Sequence, residues 1–235
     1  MAKTPQPGRS KTRLCPPLHP DQAATLSAAF LRDTTENLAA ASRSAPIESY
    51  AAYAPIGTES LLRPHLAPET RLIPADGSPL MPSGVDGFGR RLLHAIQGML
   101  GEGHAAACVL SSDTPTLPTR YLVQTAHALL AQPHHGQERV VLGACDDGGY
   151  YLLGMTSAHA GLFTDIAWST ETVAEATRER ARMLGLDLVE LEPWYDVDDA
   201  ASLAALLGNA AGYAAPATRA AVARLRIGAI LAASR

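Results

Sequence analysis

The sequence has only three cysteines, Cys15, Cys108 and Cys145, which stand far apart and show no CxxC spacing. This excludes a disulfide framework and a cysteine zinc site, and it favours reduced thiols. Aromatic residues make up 5% and the net charge is −4, which argues against a nucleic-acid partner. No apolar run reaches the roughly 18 residues of a membrane helix, and no signal peptide opens the chain. We therefore expect a cytoplasmic protein with no membrane partner.

Hydrophobic residues make up 47% of the 235 residues, enough for the core of one α/β domain. Strand-like apolar runs alternate with helical segments of ten or more residues. This alternation predicts a single Rossmann-like, mostly parallel sheet flanked by helices. The segment 139–155, RVVLGACDDGGYYLLGM, resembles a hairpin and predicts an antiparallel strand within the sheet. We assign residues 1–207 to this domain and 208–235 to a C-terminal helical extension packed on it, with one helix over 217–233.

A basic loop lies at the start of the chain. Its pattern is Lys3-x-Pro5-x-x-Gly8-x-x-Lys11-Thr12-Arg13-Leu14. Glycine lets the backbone approach a ligand, and three cations in a short loop are typical of a phosphate cradle. The pattern is not a Walker loop, because G-x-x-x-x-G-K-[ST] is absent. The structural alternative is a solvated basic terminus.

Carboxylates occur at two places where metal ligands are common. Ser112 and Asp113 directly follow an apolar strand, at the edge where open α/β sheets bind ligands. Asp196 and Asp198 precede a helix and, two residues apart in an extended segment, point the same way. Carboxylate oxygens suit Mg²⁺ shared with substrate phosphates. The alternative is capping, of a turn by Asp113 and of the helix by Asp198 or Asp199.

Two further segments are candidates for ligand contact. Asp147, Gly148 and Gly149 form a glycine turn that permits close approach of a ligand, although Asp-Gly is also a strong hairpin signal. Trp168 opens the segment WSTET, which is also typical of a helix start.

Taken in order, the motifs resemble those of a known superfamily. They run KxPxxGxxKTRL, GxGRRL, SSDTPTLP, DDGGYYLLGM, WST and DVDDAASL. This order is similar to the nucleotide-diphospho-sugar transferase superfamily with the glycosyltransferase-A-like fold. Within it, the chain resembles the arsenosugar-biosynthesis-type glycosyltransferases, the 2-phospho-lactate guanylyltransferases and, more distantly, the molybdenum-cofactor guanylyltransferases. The resemblance covers about residues 1–207.

The resemblance implies roles for particular residues. Nucleotide and phosphate binding falls on the basic loop and the segment after the buried strand, at Lys3, Pro5, Gly8, Lys11, Thr12, Arg13 and Ser112. The resemblance implies that Asp113 and Asp198 bind the metal, Mg²⁺ or Mn²⁺, with Asp196 as the weaker choice. Acceptor binding falls on Asp147, Gly148, Gly149, Tyr150 and Trp168. One departure is that the apolar strand usual before the Lys-x-Pro loop is not present in the sequence.

Three functions remain open. The first is Mg²⁺-dependent nucleotidyl transfer from a nucleoside triphosphate to a small phosphate- or phosphonate-bearing acceptor, with release of pyrophosphate. Lys11, Arg13, Asp113 and Asp198 are then the catalytic residues. The second is glycosyl transfer from a nucleotide-sugar to a small-molecule acceptor, and the third is a nucleotide-binding module without catalysis. The oligomeric state, the base and the acceptor stay undetermined.

Overall fold

The strands and helices follow the alternation that the sequence predicts. A computed structural model describes residues 1–75, 81–132 and 136–233. The strands in these ranges are β1 (Ala2–Lys3), β2 (Tyr50–Ala54), β3 (Arg71–Pro74), β4 (Ala107–Leu110), β5 (Arg139–Ala144), β6 (Tyr150–Met155) and β7 (Asp187–Glu190). The α-helices are α1 (Pro20–Ala41), α2 (Glu59–Leu62), α3 (Gly87–Gly101), α4 (Thr119–Leu130), α5 (Val173–Met183), α6 (Ala200–Gly208), α7 (Pro216–Arg224) and α8 (Ile227–Ala233). Across the described ranges, none of the helices has the length and apolar character that a membrane crossing requires.

The strands form two hydrogen-bonded sheets. The first has the order β1-β2-β3 and is parallel throughout. The second has the order β4-β6-β5-β7, in which β6 runs antiparallel to both neighbours while β5 and β7 are parallel. The predicted class, a mixed α/β fold with most strand pairs parallel, is confirmed, but the strands are divided between two hydrogen-bonded sheets where the sequence predicts one. Strand β6 is the antiparallel member that the segment 139–155 predicted.

Helices cover both faces of the second sheet because side chains alternate along its strands. Val140 and Leu142 of β5 belong to a core cluster with residues of α3 and α5. Val141, between them, packs in a second cluster with residues of α4 and the end of α1. A period of two sends neighbouring residues to opposite faces, so both faces of β5 are buried.

The two sheets approach each other where the start of β1 contacts the end of β4. Strand β1 pairs with β2 only through Ala2 and Lys3. The amino group of Met1 donates a hydrogen bond of 2.8 Å to Leu110 O at the end of β4. Beside this contact lies a cavity of about 560 Å³ between β2 and β4. Its lining includes Leu31 and Thr34 of α1, Met99 of α3 and Leu129 of α4.

The C-terminal segment forms two helices where the sequence predicts one over 217–233, so that prediction was wrong. Arg226 has a left-handed backbone with φ of 55°. A left-handed residue cannot continue a right-handed helix, and the turn therefore separates α7 from α8. Both helices pack in one cluster with α1 and α6, which contains Phe30, Leu203 and Ile227. Residues 234 and 235 of the predicted extension lie outside the described residues.

Helix α1 also holds the start of α7 by hydrogen bonds. The carboxylate of Asp33, which is fully buried, accepts from Ala217 N at 3.0 Å and from Thr218 N at 2.6 Å. These N–H groups belong to the first turn of a helix, which has no internal acceptors for them. An acidic side chain there satisfies the donors and suits the helix dipole.

Candidate active site

The basic loop after β1 is shaped by its own backbone. Arg9 N and Ser10 N both donate to Gln6 O at 3.1 Å, which closes a turn around Gly8. Gly8 takes a φ of 70°, a conformation that glycine adopts without strain. Lys11 is left-handed as well, with φ of 51°, and precedes a short 3₁₀ turn over Thr12–Leu14. The loop therefore turns back so that Lys11 points inward.

The ammonium group of Lys11 lies between two carboxylates. Its Nζ is 2.7 Å from Asp113 Oδ1 and 2.7 Å from Asp198 Oδ1, and its side chain is 6% exposed. It also donates to Val197 O at 2.7 Å. Burial alone lowers the pKa of Lys11, but the charges of Asp113 and Asp198 outweigh burial and raise that pKa above its ordinary value. Lys11 is therefore charged at neutral pH.

Backbone hydrogen bonds bring the two carboxylates together. Asp113 follows β4, and its carbonyl oxygen accepts from Val197 N at 2.8 Å. Asp199 caps α6, because its side chain accepts from Ser202 N at 2.8 Å. Asp198 is thereby left to face Lys11. The capping alternative thus applies to Asp199, and its neighbour belongs to the site.

Asp196 belongs to a second acidic group beside the first. Ligand atoms of Cys145, Asp147 and Asp196 lie within 4.8 Å of one another. Burial and the charges of Asp198 and Asp147 raise the pKa of Asp196 to about 6. Burial, reinforced by the carboxylates around it, also raises the pKa of Cys145, so this thiol stays protonated and is a poor nucleophile.

The carboxylates of Asp113 and Asp198 fit a divalent cation. Both already hold a cationic group, the ammonium of Lys11, between their oxygens. Oxygen donors are the ligands that Mg²⁺ and Mn²⁺ prefer. Asp196 faces Cys145 and Asp147 instead, and the charge of Asp198 helps to raise the pKa of Asp196. When bound at Asp113 and Asp198, such a cation would neutralise phosphate charge.

A pocket of about 500 Å³ opens next to Asp113. Predicted residues Lys3, Ser112 and Tyr150 line it. The sequence prediction missed Phe88 and Arg91, which also line it and which lie within the GxGRRL motif. Phe88 is 44% exposed, an unusual position for a large apolar ring. The occurrence of an aromatic residue and two arginines within the GxGRRL motif was a sequence signal that could have found them.

Tyr150 carries a buried hydroxyl with no hydrogen-bond partner among the described residues. Burial also raises its pKa, so the group remains an O–H. A buried hydroxyl without a partner costs free energy. Tyr150 contacts Trp168 edge-on, with ring centroids 6.5 Å apart.

Close packing and turn geometry account for the residue types at the remaining predicted acceptor positions. Trp168 packs on Gly89, where a Cβ would lie 2.7 Å from the indole ring. Gly148 has φ of 87° and abuts the backbone of Glu171, so a side chain does not fit there. Gly149 N donates to Asp147 Oδ1 at 2.9 Å, which closes the turn. A role for these residues in acceptor binding stays a prediction.

The other residues of the basic loop contact the carboxylates of Asp113 and Asp198 less closely than Lys11 does. The Arg13 guanidinium is 3.6 Å from Asp198 Oδ2, and its side chain is 65% exposed. Thr12 begins the 3₁₀ turn, and Pro5 lies in the turn ahead of Gly8. Of the predicted loop residues, the structure therefore brings Lys11 and Arg13 to the carboxylates, and Lys3 to the adjoining pocket.

Comparison with known proteins places the chain in a family. The profile of the family described as "Uncharacterized protein conserved in bacteria (DUF2064)" matches residues 37–170, more than half of the chain. No curated protein matches it. A solved structure, a "putative nucleotide-diphospho-sugar transferase from Desulfovibrio desulfuricans G20", is similar with 26% identity and a TM-score of 0.80. The alignment covers 98% of this chain and 94% of that one. The chain therefore belongs to the DUF2064 family and has the fold of the nucleotide-diphospho-sugar transferase superfamily.

Proposed function

We propose that the protein is a divalent-cation-dependent nucleotidyltransferase. It joins the nucleoside monophosphate of a triphosphate to a small acceptor that bears a phosphate or phosphonate group. The observation that carries this proposal is the meeting of Lys11 with Asp113 and Asp198, with Arg13 beside them. Cations and metal-binding carboxylates in one place suit the charge of a triphosphate.

The proposed residues act by positioning and by charge. A phosphate oxygen of the acceptor forms a bond to the α-phosphorus, the bond from the α-phosphorus to its bridging oxygen breaks, and pyrophosphate leaves with that electron pair. Asp113 and Asp198 would hold the divalent cation, which would supply positive charge to the phosphates. Arg13 is open to solvent and near enough to reach the leaving group. This reaction requires no protein nucleophile, in keeping with the protonated Cys145 thiol.

The adjoining pocket is the proposed place of the substrate's organic part. Lys3 and Asp113 contribute charged groups to its lining, and Phe88 and Tyr150 contribute aromatic rings. In the orientation we propose, the phosphates lie toward Asp113 and the apolar part lies against Phe88.

The test is a pyrophosphate-release assay. Each of the four common nucleoside triphosphates is supplied with Mg²⁺ and a panel of phospho- and phosphono-acids. We expect pyrophosphate with at least one combination from the wild type and none from Asp113→Asn. If the wild type gives no pyrophosphate with any combination, although it binds the triphosphate, nucleotidyl transfer is refuted.

A second candidate is glycosyl transfer, which the name of the solved structure favours. In that reaction the cation and Lys11 would face the diphosphate that departs from a nucleotide-sugar. The discriminating assay supplies nucleotide-sugars with small-molecule acceptors and detects free nucleoside diphosphate. Release of diphosphate but not of pyrophosphate would favour this candidate. Binding without turnover in both assays would favour a nucleotide-binding module.

A further inference from the structure

Lys11 has no donor left for a phosphate. An ammonium group has three N–H donors. Those of Lys11 meet Asp113 Oδ1, Asp198 Oδ1 and Val197 O, each at 2.7 Å. The side chain is also almost fully buried. In this arrangement Lys11 cannot contact a triphosphate unless it releases at least one of these three acceptors.

The same two carboxylates are the proposed ligands of the divalent cation. Lys11 already lies between their oxygens, where a second cation would meet it at close range. Like charges at such a distance repel, and the burial of the Lys11 side chain limits screening by water. The ammonium of Lys11 and a metal ion therefore compete for the Oδ1 atoms of these carboxylates.

We propose that Lys11 competes with the divalent cation for Asp113 and Asp198, and that a phosphate group relieves this competition by drawing Lys11 away. This inference rests on the proposed function, because it takes these carboxylates as the metal ligands. Its consequence is that metal and phosphate bind cooperatively. By thermodynamic linkage, each ligand must raise the affinity for the other by the same factor.

The backbone around Lys11 supports such a displacement. Lys11 has a left-handed conformation, with φ of 51°, that is costly for a residue with a side chain. The next residues form only a short 3₁₀ turn, and Arg13 is exposed. Strain of this kind persists where surrounding contacts hold it, and the three oxygen acceptors of Lys11 are among the contacts of this residue.

The test measures Mn²⁺ binding by calorimetry without nucleotide. Lys11→Met keeps the length of the side chain and removes its charge. We expect Lys11→Met to bind Mn²⁺ about tenfold more tightly than the wild type, or tighter still. Arg9→Met is the matched control, because it removes a cation from the same loop and no ion pair joins Arg9 to Asp113 or Asp198 in the described part of the chain. It should change the affinity far less.

A second arm adds inorganic phosphate as the probe for the ligand. Phosphate should tighten Mn²⁺ binding to the wild type and have little effect on Lys11→Met. Equal Mn²⁺ affinity of the wild type and Lys11→Met, or the same effect of phosphate on both, would overturn the competition. Lys11→Gln, checked by circular dichroism, replaces Lys11→Met if that variant does not fold.

Failure of the inference and failure of the metal site can be told apart. Asp113→Asn and Asp198→Asn are introduced into the Lys11→Met protein. If they weaken Mn²⁺ binding, the carboxylates are the ligands, and the comparison of Lys11→Met with the wild type decides the inference alone. If they leave Mn²⁺ binding unchanged, the proposed metal site is wrong and the inference is refuted with it.

Discussion

Lys11 and Asp198 are 187 residues apart in the sequence, yet Nζ of Lys11 is 2.7 Å from Oδ1 of Asp198. The contact joins the loop after β1 to the segment before α6. Asp113 completes it from the end of β4. The first third, the middle and the end of the chain therefore meet at one point.

The first prediction concerns the two carboxylates. Asp113→Asn and Asp198→Asn should each lower turnover about a hundredfold or more, because a metal-binding carboxylate stabilises the charge that develops in the transition state. Asp199→Asn is the control, since asparagine caps a helix as well as aspartate does. Turnover is measured at saturating Mg²⁺.

The outcome also decides between neighbouring carboxylates. Near-normal turnover of both variants would refute the metal assignment. If Asp198→Asn is tolerated and Asp196→Asn is not, the role moves to Asp196, which lies in the adjacent group with Asp147.

The second prediction concerns the exposed cation of the loop. Arg13→Ala should raise the Kd of a nucleoside triphosphate about tenfold and that of the monophosphate much less, because a charge-assisted hydrogen bond to phosphate is worth about 1.5–3 kcal/mol. Arg9→Ala removes the same charge from the same loop, and no ion pair of Arg9 with Asp113 or Asp198 occurs in the described ranges. Calorimetric titration with tri-, di- and monophosphate compares the variants. Equal losses for all three ligands would mean that the loop is only a solvated basic terminus.

The third prediction uses two adjacent threonines of α1. Thr34 Oγ1 is buried beside the cavity between β2 and β4 and has no partner among the described residues. Thr35 Oγ1 donates to Leu31 O at 2.9 Å and accepts from Ala67 N at 2.8 Å. Thr34→Val should therefore stabilise the protein, whereas Thr35→Val should destabilise it by about 1–3 kcal/mol.

Denaturant unfolding of both variants measures these free energies. The substitution and the helix are the same, so differences in helix propensity cancel. A loss of stability in Thr34→Val would show that its hydroxyl has a partner in solution, such as water in the cavity.

The fourth prediction concerns the cap of α7. Asp33→Ala should destabilise the protein by about 1–3 kcal/mol, because two buried N–H groups lose their acceptor. Asp21→Ala, at an exposed position near the start of the same helix, should have little effect. Thermal unfolding of the two variants and the wild type gives the comparison. Equal melting temperatures of Asp33→Ala and the wild type would contradict the cap.

Asp33 also predicts a dependence on pH. Burial raises its pKa above the ordinary 3.8. A raised pKa in the folded state favours the protonated form, so this contribution to stability is complete below pH 3.8 and is lost as the pH rises through the folded-state pKa. Asp33→Asn has no carboxyl group that titrates at this position. As the pH rises from 3.8 through the folded-state pKa of Asp33, the free energy of unfolding of Asp33→Asn should therefore increase relative to that of the wild type. A difference that does not change with pH would contradict the raised pKa.

Much of this protein follows from local sequence. The alternation of strands and helices, the antiparallel β6 and the position of Asp113 after β4 all come from hydrophobic periodicity and turn residues, which act over a few neighbours. The order of the motifs was enough to indicate the superfamily fold that the comparisons bear out. The extent of the last helix was missed, because the left-handed turn at Arg226 carries no glycine signal.

The site depends on contacts between distant segments. The spacing of Asp198 and Asp199 fits capping equally well at either residue, and it is the bond from Ser202 N to Asp199 that leaves Asp198 facing Lys11. The basic loop suggested a phosphate ligand for Lys11, but three oxygens from β4 and the segment before α6 surround its ammonium group. Tyr150 likewise has no hydrogen-bond partner among the described residues because of the packing around it. Local propensity specifies which elements form, whereas burial and pairing across the fold specify which charges meet, since Coulomb and hydrogen-bond energies depend on distance in space and not along the chain.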